Sequence, residues 1–230
     1  MALFIAATLI VGGEIAPVTL CVAETIKLAA GVEEADEVIQ IFAYGADWNS
    51  SDPIPFAQVP NYIRDDHILK MDKEIESEVL AKRYVSVCPS TVVGISAMGM
   101  VDKDHSNFVK VRIVHDLSRP DGSVNSLIDI KNRSFITVHQ AAEMVLPKAV
   151  MAKIDLSKAY RSIPTAPHHW RLHALQWRNI TYIDLRLPFG NRAAPGVFDT
   201  ITQVLVRTER RLGITNLMGY IDDFFIVCNK

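Results

Sequence analysis

The chain has 230 residues, 49% of them apolar, and a formal net charge of −2; it is long enough to bury a substantial core and too apolar for a largely disordered polypeptide. Its three cysteines, Cys21, Cys88 and Cys228, are scattered, odd in number and without paired spacing, so no disulfide framework or zinc knuckle follows and an intracellular, reducing compartment is the natural reading. The charge is uneven: residues 1–100 carry 6 basic and 14 acidic side chains (−8), residues 101–211 carry 17 and 10 (+7), and residues 212–230 carry 1 and 2 (−1).

In chain order, residues 2–11 form an apolar run too short to span a bilayer, and the first basic residue is Lys27, so no signal-peptide start precedes it. A buried helix or an artefactual N-terminus is the expectation there, and no membrane partner is expected. Acidic residues 33–37 follow, and Asn49-Ser50-Ser51-Asp52-Pro53 reads as a linker. Apolar residues at 68, 71, 75, 79 and 80 predict an amphipathic helix over 68–84. Residues 91–101 and 108–114 predict two strands joined by the loop 102–107. In the second strand, alternation sends Val109, Val111 and Ile113 one way and Lys110 and Arg112 the other, about 6.5–7 Å apart, a spacing suited to a triphosphate or simply to a solvent face. His169 and His173 are four apart and could face one way on a helix, but structural or surface histidines are the reading.

Residues 150–156 read as a mostly apolar strand carrying Asp155 and running into a turn at Ser157-Lys158-Ala159-Tyr160. Further on, Pro195 starts a helix that runs to about Leu212. Its stripe is Val197, Phe198, Ile201, Val204, Leu205 and Leu212, three arginines (Arg207, Arg210, Arg211) cluster at its end, and Gly213 stops it. Tyr220-Ile221-Asp222-Asp223 then lies between apolar runs, which predicts a hairpin with two adjacent carboxylates at its bend. Side-by-side anions call for a cation, and a hard divalent ion such as Mg²⁺, bound by carboxylates and substrate phosphates, serves nucleotidyl transfer. The plainer alternative is a helix-capping Asp155 and a simple turn at 222–223.

Taken together, residues 153–164 (KIDLSKAYRSIP), 187–198 (LPFGNRAAPGVF) and 220–223 (YIDD) resemble three ordered motifs of reverse transcriptases. Upstream, residues 109–118 with 120–125 are similar to the fingers motif of retrotransposon enzymes, closest in flavour to tyrosine-recombinase (DIRS-like) elements. The match is readable from about residue 54 onward. It implies an α+β right-hand polymerase in which an antiparallel palm sheet is backed by helices, with fingers at 54–130 and 164–190, palm at 131–163 and 191–230, and an unassigned segment at 1–53. The chain is expected to stop before thumb and RNase H and, lacking them, to be weak or inactive in synthesis.

The resemblance further implies RNA-directed DNA synthesis from dNTPs on an RNA or DNA template with primer, and two Mg²⁺ ions, with Mn²⁺ as a substitute. Asp155, Asp222 and Asp223 align with the catalytic, metal-holding acids, Asp223 being the weaker ligand. Arg112 aligns with the arginine that meets the nucleotide's phosphates, with Lys103 or Lys110 as companion. Lys158 and Ala159 supply backbone N–H groups, and Tyr160 is the aromatic gate against a 2′-hydroxyl. Phe189 occupies a nucleotide-contacting position, and Gly190 permits close backbone approach. The alternative is a non-catalytic retroelement remnant that binds nucleic acid through the basic middle.

Overall fold

A computed structural model of the chain describes residues 4–11, 14–21, 31–53, 55–102, 111–130 and 133–228. The first half contains β1 (Phe4–Val11), β2 (Glu14–Cys21), α1 (Ala35–Tyr44), α2 (Ile68–Leu80), β3 (Tyr84–Val87), β4 (Ala97–Asp102) and β5 (Val111–Asp116). There follow α3 (Val124–Leu127), α4 (Val138–Glu143), β6 (Val150–Leu156), α5 (Ala159–Ser162), β7 (Ala174–Trp177), β8 (Ile180–Asp184), α6 (Ala194–Arg211), β9 (Leu217–Tyr220) and β10 (Asp223–Cys228). The chain divides into two compact units, one of Met1–Ala43, Lys131–Ser162 and Pro195–Lys230, the other of Tyr44–Ile130 and Ile163–Ala194. Among the described residues no helix is long and apolar enough to cross a membrane.

The first unit is built on a five-stranded antiparallel sheet in the order β2-β1-β6-β10-β9. The apolar run read from sequence as a buried helix is strand β1, paired with β2 on one side and β6 on the other. A short apolar run satisfies either element, and here two neighbouring strands supply the hydrogen bonds that decide between them. Helix α6 has the expected buried stripe, with Phe198, Ile201, Val204 and Leu205 in the core, whereas Leu212 lies just past the helix and is exposed. It ends in a Schellman closure in which the Ile214 N–H donates to the Glu209 carbonyl and the Gly213 N–H to that of Arg210. Helix and sheet meet at Gly219, where a Cβ would lie 2.3 Å from Thr202 Cγ2 and 3.0 Å from Val206 Cγ2.

The second unit holds the two-stranded β4-β5 sheet and the three-stranded β3-β8-β7 sheet. Its core joins Met71, Ile75, Tyr84, Met98, Ile113 and Leu175. Helix α2 ends at Leu80, short of the predicted Tyr84, which opens β3 instead. The stripe also departs from expectation at this end: Val79 and Leu80 are exposed and Glu78 is buried. Glu78 accepts two 2.7 Å hydrogen bonds from Arg83, so its charge goes inside paired. The β4-β5 ladder runs from Ala97↔Asp116 to Asp102↔Val111, so β4 opens at Ala97 rather than at residue 91 and β5 runs past the predicted end at residue 114. Asp102, expected in the loop, closes β4 instead; Lys103, Lys110 and the rest of the predicted loop fall outside the described residues.

Candidate active site

The carboxylates gather in the first unit because two strands and one tight bend carry them. Asp155 near the end of β6 and Asp223 at the start of β10 are direct cross-strand partners, so both side chains lie on one face of the sheet. Two residues earlier on β6, Lys153 shares that face, and its Nζ lies 3.0 Å from Asp223 Oδ1. Its hydrogen bond to Asp223 holds the ammonium above the ordinary lysine value, against burial. Asp155 is held above the usual carboxylate range, chiefly by burial, then by a hydrogen bond with Asp223 and by the charges of Asp222 and Asp223, with Lys153 opposing.

Asp222 sits in the two-residue connection between β9 and β10, since Tyr220 and Asp223 are paired. The residue before it, Ile221, has φ +53, a conformation that costs a β-branched residue on the order of 1–3 kcal/mol. Neighbouring hydrogen bonds hold it there: the Thr202 hydroxyl donates to the Ile221 carbonyl, and the Leu156 N–H donates to the Asp222 carbonyl at 3.0 Å. The bend is thereby fixed to helix α6 on one side and to β6 on the other.

One lysine against three carboxylates leaves the site net negative. An all-oxygen donor set and a carboxyl raised by its neighbours are what a hard divalent cation relieves, so the residues fit such an ion. Asp155 and Asp222 are the better candidates to hold it, because Asp223 already faces Lys153.

Immediately after β6, Lys158 has φ +55 and leads into α5, a left-handed-to-helical step of the kind that turns backbone N–H groups toward one point. Ala159 is buried. Tyr160 packs edge-on against Phe198, ring centroids 5.6 Å apart, which holds its ring on the first unit.

The remaining described candidates belong to the second unit and form their own group. The exposed Arg112 on β5 stacks its guanidinium over the Phe189 ring, 4.2 Å from the centroid. The Phe189 carbonyl accepts from the His115 N–H at 2.9 Å. Gly190 has φ +106, and a Cβ there would lie 2.0 Å from the His115 carbonyl oxygen, so only glycine fits. Asn125 clamps this loop, donating to the Gly190 carbonyl and accepting from the Arg192 N–H, both at 2.8 Å. His115 is buried against the Tyr84 hydroxyl at 3.1 Å and Asp184 at 3.6 Å.

Sequence reasoning assigned no role to Lys153, Asn125 or Thr202. Period-two alternation with Asp155 is the signal that could have flagged Lys153; the contacts of the other two are long-range.

The sequence model of the family described as reverse transcriptase (RNA-dependent DNA polymerase) matches residues 89–230. No curated protein matches in sequence. Among solved structures, a foamy viral protease-reverse transcriptase in complex with double-stranded DNA aligns at TM-score 0.63 and 18% identity, over 92% of this chain and 39% of that one. A foamy viral protease-reverse transcriptase in complex with an RNA/DNA hybrid aligns at TM-score 0.60 and 16% identity, over 94% and 31%. The native prototype foamy virus protease-reverse transcriptase gives TM-score 0.62 and 15% identity, again over 94% and 31%. The chain therefore spans less than half the length of these relatives and shares their fold.

Proposed function

The chain belongs to the reverse transcriptase (RNA-dependent DNA polymerase) family, and on that premise we propose that it carries out RNA-directed DNA synthesis, adding deoxynucleotides to a primer 3′-hydroxyl within a retrotransposon of the tyrosine-recombinase (DIRS-like) type. The observation that carries the reading is the juxtaposition of Asp155 and Asp223 across β6 and β10, with Asp222 at the strained bend beside them.

Asp155 and Asp222 would hold two divalent cations, best met by Mg²⁺ with Mn²⁺ as a substitute, whose chemistry when bound is to acidify the primer hydroxyl and neutralise the triphosphate. Lys153, 3.0 Å from Asp223 Oδ1, holds that carboxylate oriented beside them. Backbone N–H groups at Lys158 and Ala159 meet phosphate oxygens. Tyr160, braced by Phe198, fills the space that a ribose 2′-hydroxyl needs, which selects dNTPs by exclusion. Arg112, stacked on Phe189, offers a fork of donors to the triphosphate, with Lys103 or Lys110 as its companion. Gly190 keeps backbone, rather than a side chain, at the loop surface.

The partner is a primed RNA or DNA template in the cytoplasm or nucleus. Its binding is supported by the positive middle of the sequence and by relatives solved with double-stranded DNA and RNA/DNA hybrid. Part of the positive balance is spent internally, as where Arg207 pairs with Glu33 and Glu34, so the binding face draws on fewer cations than the count suggests.

Primer extension on an RNA template with dNTPs and Mg²⁺ tests the reading. Extension by the chain and its loss in Asp222→Asn are expected. Extension that survives Asp222→Asn refutes the cation assignment. Nucleic-acid binding with no extension under any condition leaves the binding-remnant alternative in its place.

A further inference from the structure

The geometry points to a second cation site, in the unit formed by Tyr44–Ile130 and Ile163–Ala194, where Asp47, His168 and His169 would bind one Zn²⁺-class transition-metal ion. Their ligand atoms lie within 4.8 Å of one another. Both imidazole Nε2 atoms converge on one oxygen, Asp47 Oδ1, at 2.9 Å from His168 and 2.7 Å from His169. Two nitrogens and a carboxylate oxygen form a borderline donor set, suited to Zn²⁺, Co²⁺, Ni²⁺ or Cu²⁺ rather than to Mg²⁺ or Ca²⁺.

The scaffold holds these ligands close in advance. The segment before Asp47 is tied to the turn carrying the histidines by Ala46 N–H to the Pro164 carbonyl at 2.7 Å and Ala166 N–H to the Ala46 carbonyl at 3.0 Å. Gly45 makes that approach possible, since a Cβ there would lie 2.4 Å from Ala166 N. His169 is the fixed ligand: its side chain is 2% exposed and stacked on Trp48, ring centroids 4.0 Å apart and planes 3° from parallel. Asp47 and His168 are the movable ones, each more than half exposed. Metal–ligand bonds of about 2.0–2.2 Å at tetrahedral angles ask the ligand atoms to open by roughly half an ångström, which these two side chains can supply. The fourth position faces solvent and would take water. Such an ion would pin residues 45–48 to the 3₁₀ turn Pro167–Leu172.

Titration of the full chain with Co²⁺, followed by its visible absorption and by Zn²⁺ displacement, tests this. In excess Mg²⁺, which keeps the carboxylate site filled, expected are one Co²⁺ equivalent bound with N/O-type bands, at least a tenfold loss of affinity in both Asp47→Asn and His168→Ala, and unchanged bands in Asp222→Asn. The two ligand variants alter exposed side chains, so they should fold; matching far-ultraviolet circular dichroism checks this. Zn²⁺ should raise the unfolding temperature of the parent chain but not of these variants. No Co²⁺ binding, equal affinity in the ligand variants, or a thiolate charge-transfer band from the free thiols Cys88 or Cys228 would overturn the site.

Discussion

Replacing Gly219 with alanine adds a methyl 2.3 Å from Thr202 Cγ2 and 3.0 Å from Val206 Cγ2. Ordinary van der Waals contact begins near 3.4 Å, so about 1 Å of movement is required. The Thr202 methyl cannot swing away cheaply, because its hydroxyl is committed to the Ile221 carbonyl and a β-branched side chain in a helix has few rotamers. The hairpin must lift off α6. Overpacking of this kind costs about 1–3 kcal/mol, and the smaller unfolded-state entropy of alanine offsets about 0.4–1 kcal/mol, leaving a net destabilisation of about 1–2 kcal/mol. Because the lifted strand carries the acidic bend, a displacement near 1 Å should also reduce primer extension by up to ~100-fold.

Thr202→Ser keeps the hydroxyl and removes the obstructing methyl, at about 0.8 kcal/mol of lost burial. Urea unfolding of the parent, the two single variants and the double variant closes a cycle. The double variant should be more stable than the sum of the singles predicts, by about 1 kcal/mol. Simple additivity would falsify the steric account.

Two further outcomes follow from the site. Asp155 has a raised pKa in the folded chain, so between the ordinary carboxylate value and that raised value the folded state binds more protons than the unfolded one; stability falls as pH rises through this window and stays reduced at neutral pH. Asp155→Asn, melted in chelator, should therefore gain stability relative to the parent at pH 7 but not at pH 4, while losing extension activity; greater relative destabilisation at pH 7 would contradict the charge-crowding argument. Phe189→Ala removes the ring under Arg112, a contact worth about 0.5–1 kcal/mol. Steady-state kinetics should show a rise of about two- to fivefold in the KM for dNTP, and a fall in kcat with unchanged KM would point to a different role.

Local chemistry was readable where the residues concerned are neighbours in sequence. Asp222 and Asp223 between apolar runs announced a hairpin, and the α6 stripe ending at Gly213 announced a helix and its stop. Burial of Glu78 was not readable, because its partner Arg83 follows the helix and one salt bridge reverses the usual sense of the pattern. The helix reading of residues 2–11 failed because strand identity there depends on pairing with β6, more than a hundred residues later. The histidines show the same limit most plainly. Attention to His169 and His173, four apart, missed that His169 meets Asp47, 122 residues away in sequence, while His173 is buried against Asn191. For residues 2–11 and for the histidines the deciding partner was distant along the chain.

The bend between β9 and β10 has a consequence for how this sequence can vary in length. Only Ile221 and Asp222 join the paired residues Tyr220 and Asp223, and side chains alternate faces along each strand. A single residue inserted or deleted within β10 would turn over the part of the strand on one side of it, either parting Asp223 from the face it shares with Asp155 or moving Val227 off the face on which it is now buried. Substitutions can be absorbed there one side chain at a time. Length changes cannot, so in a library of single-codon insertions and deletions this stretch should be a near-complete gap.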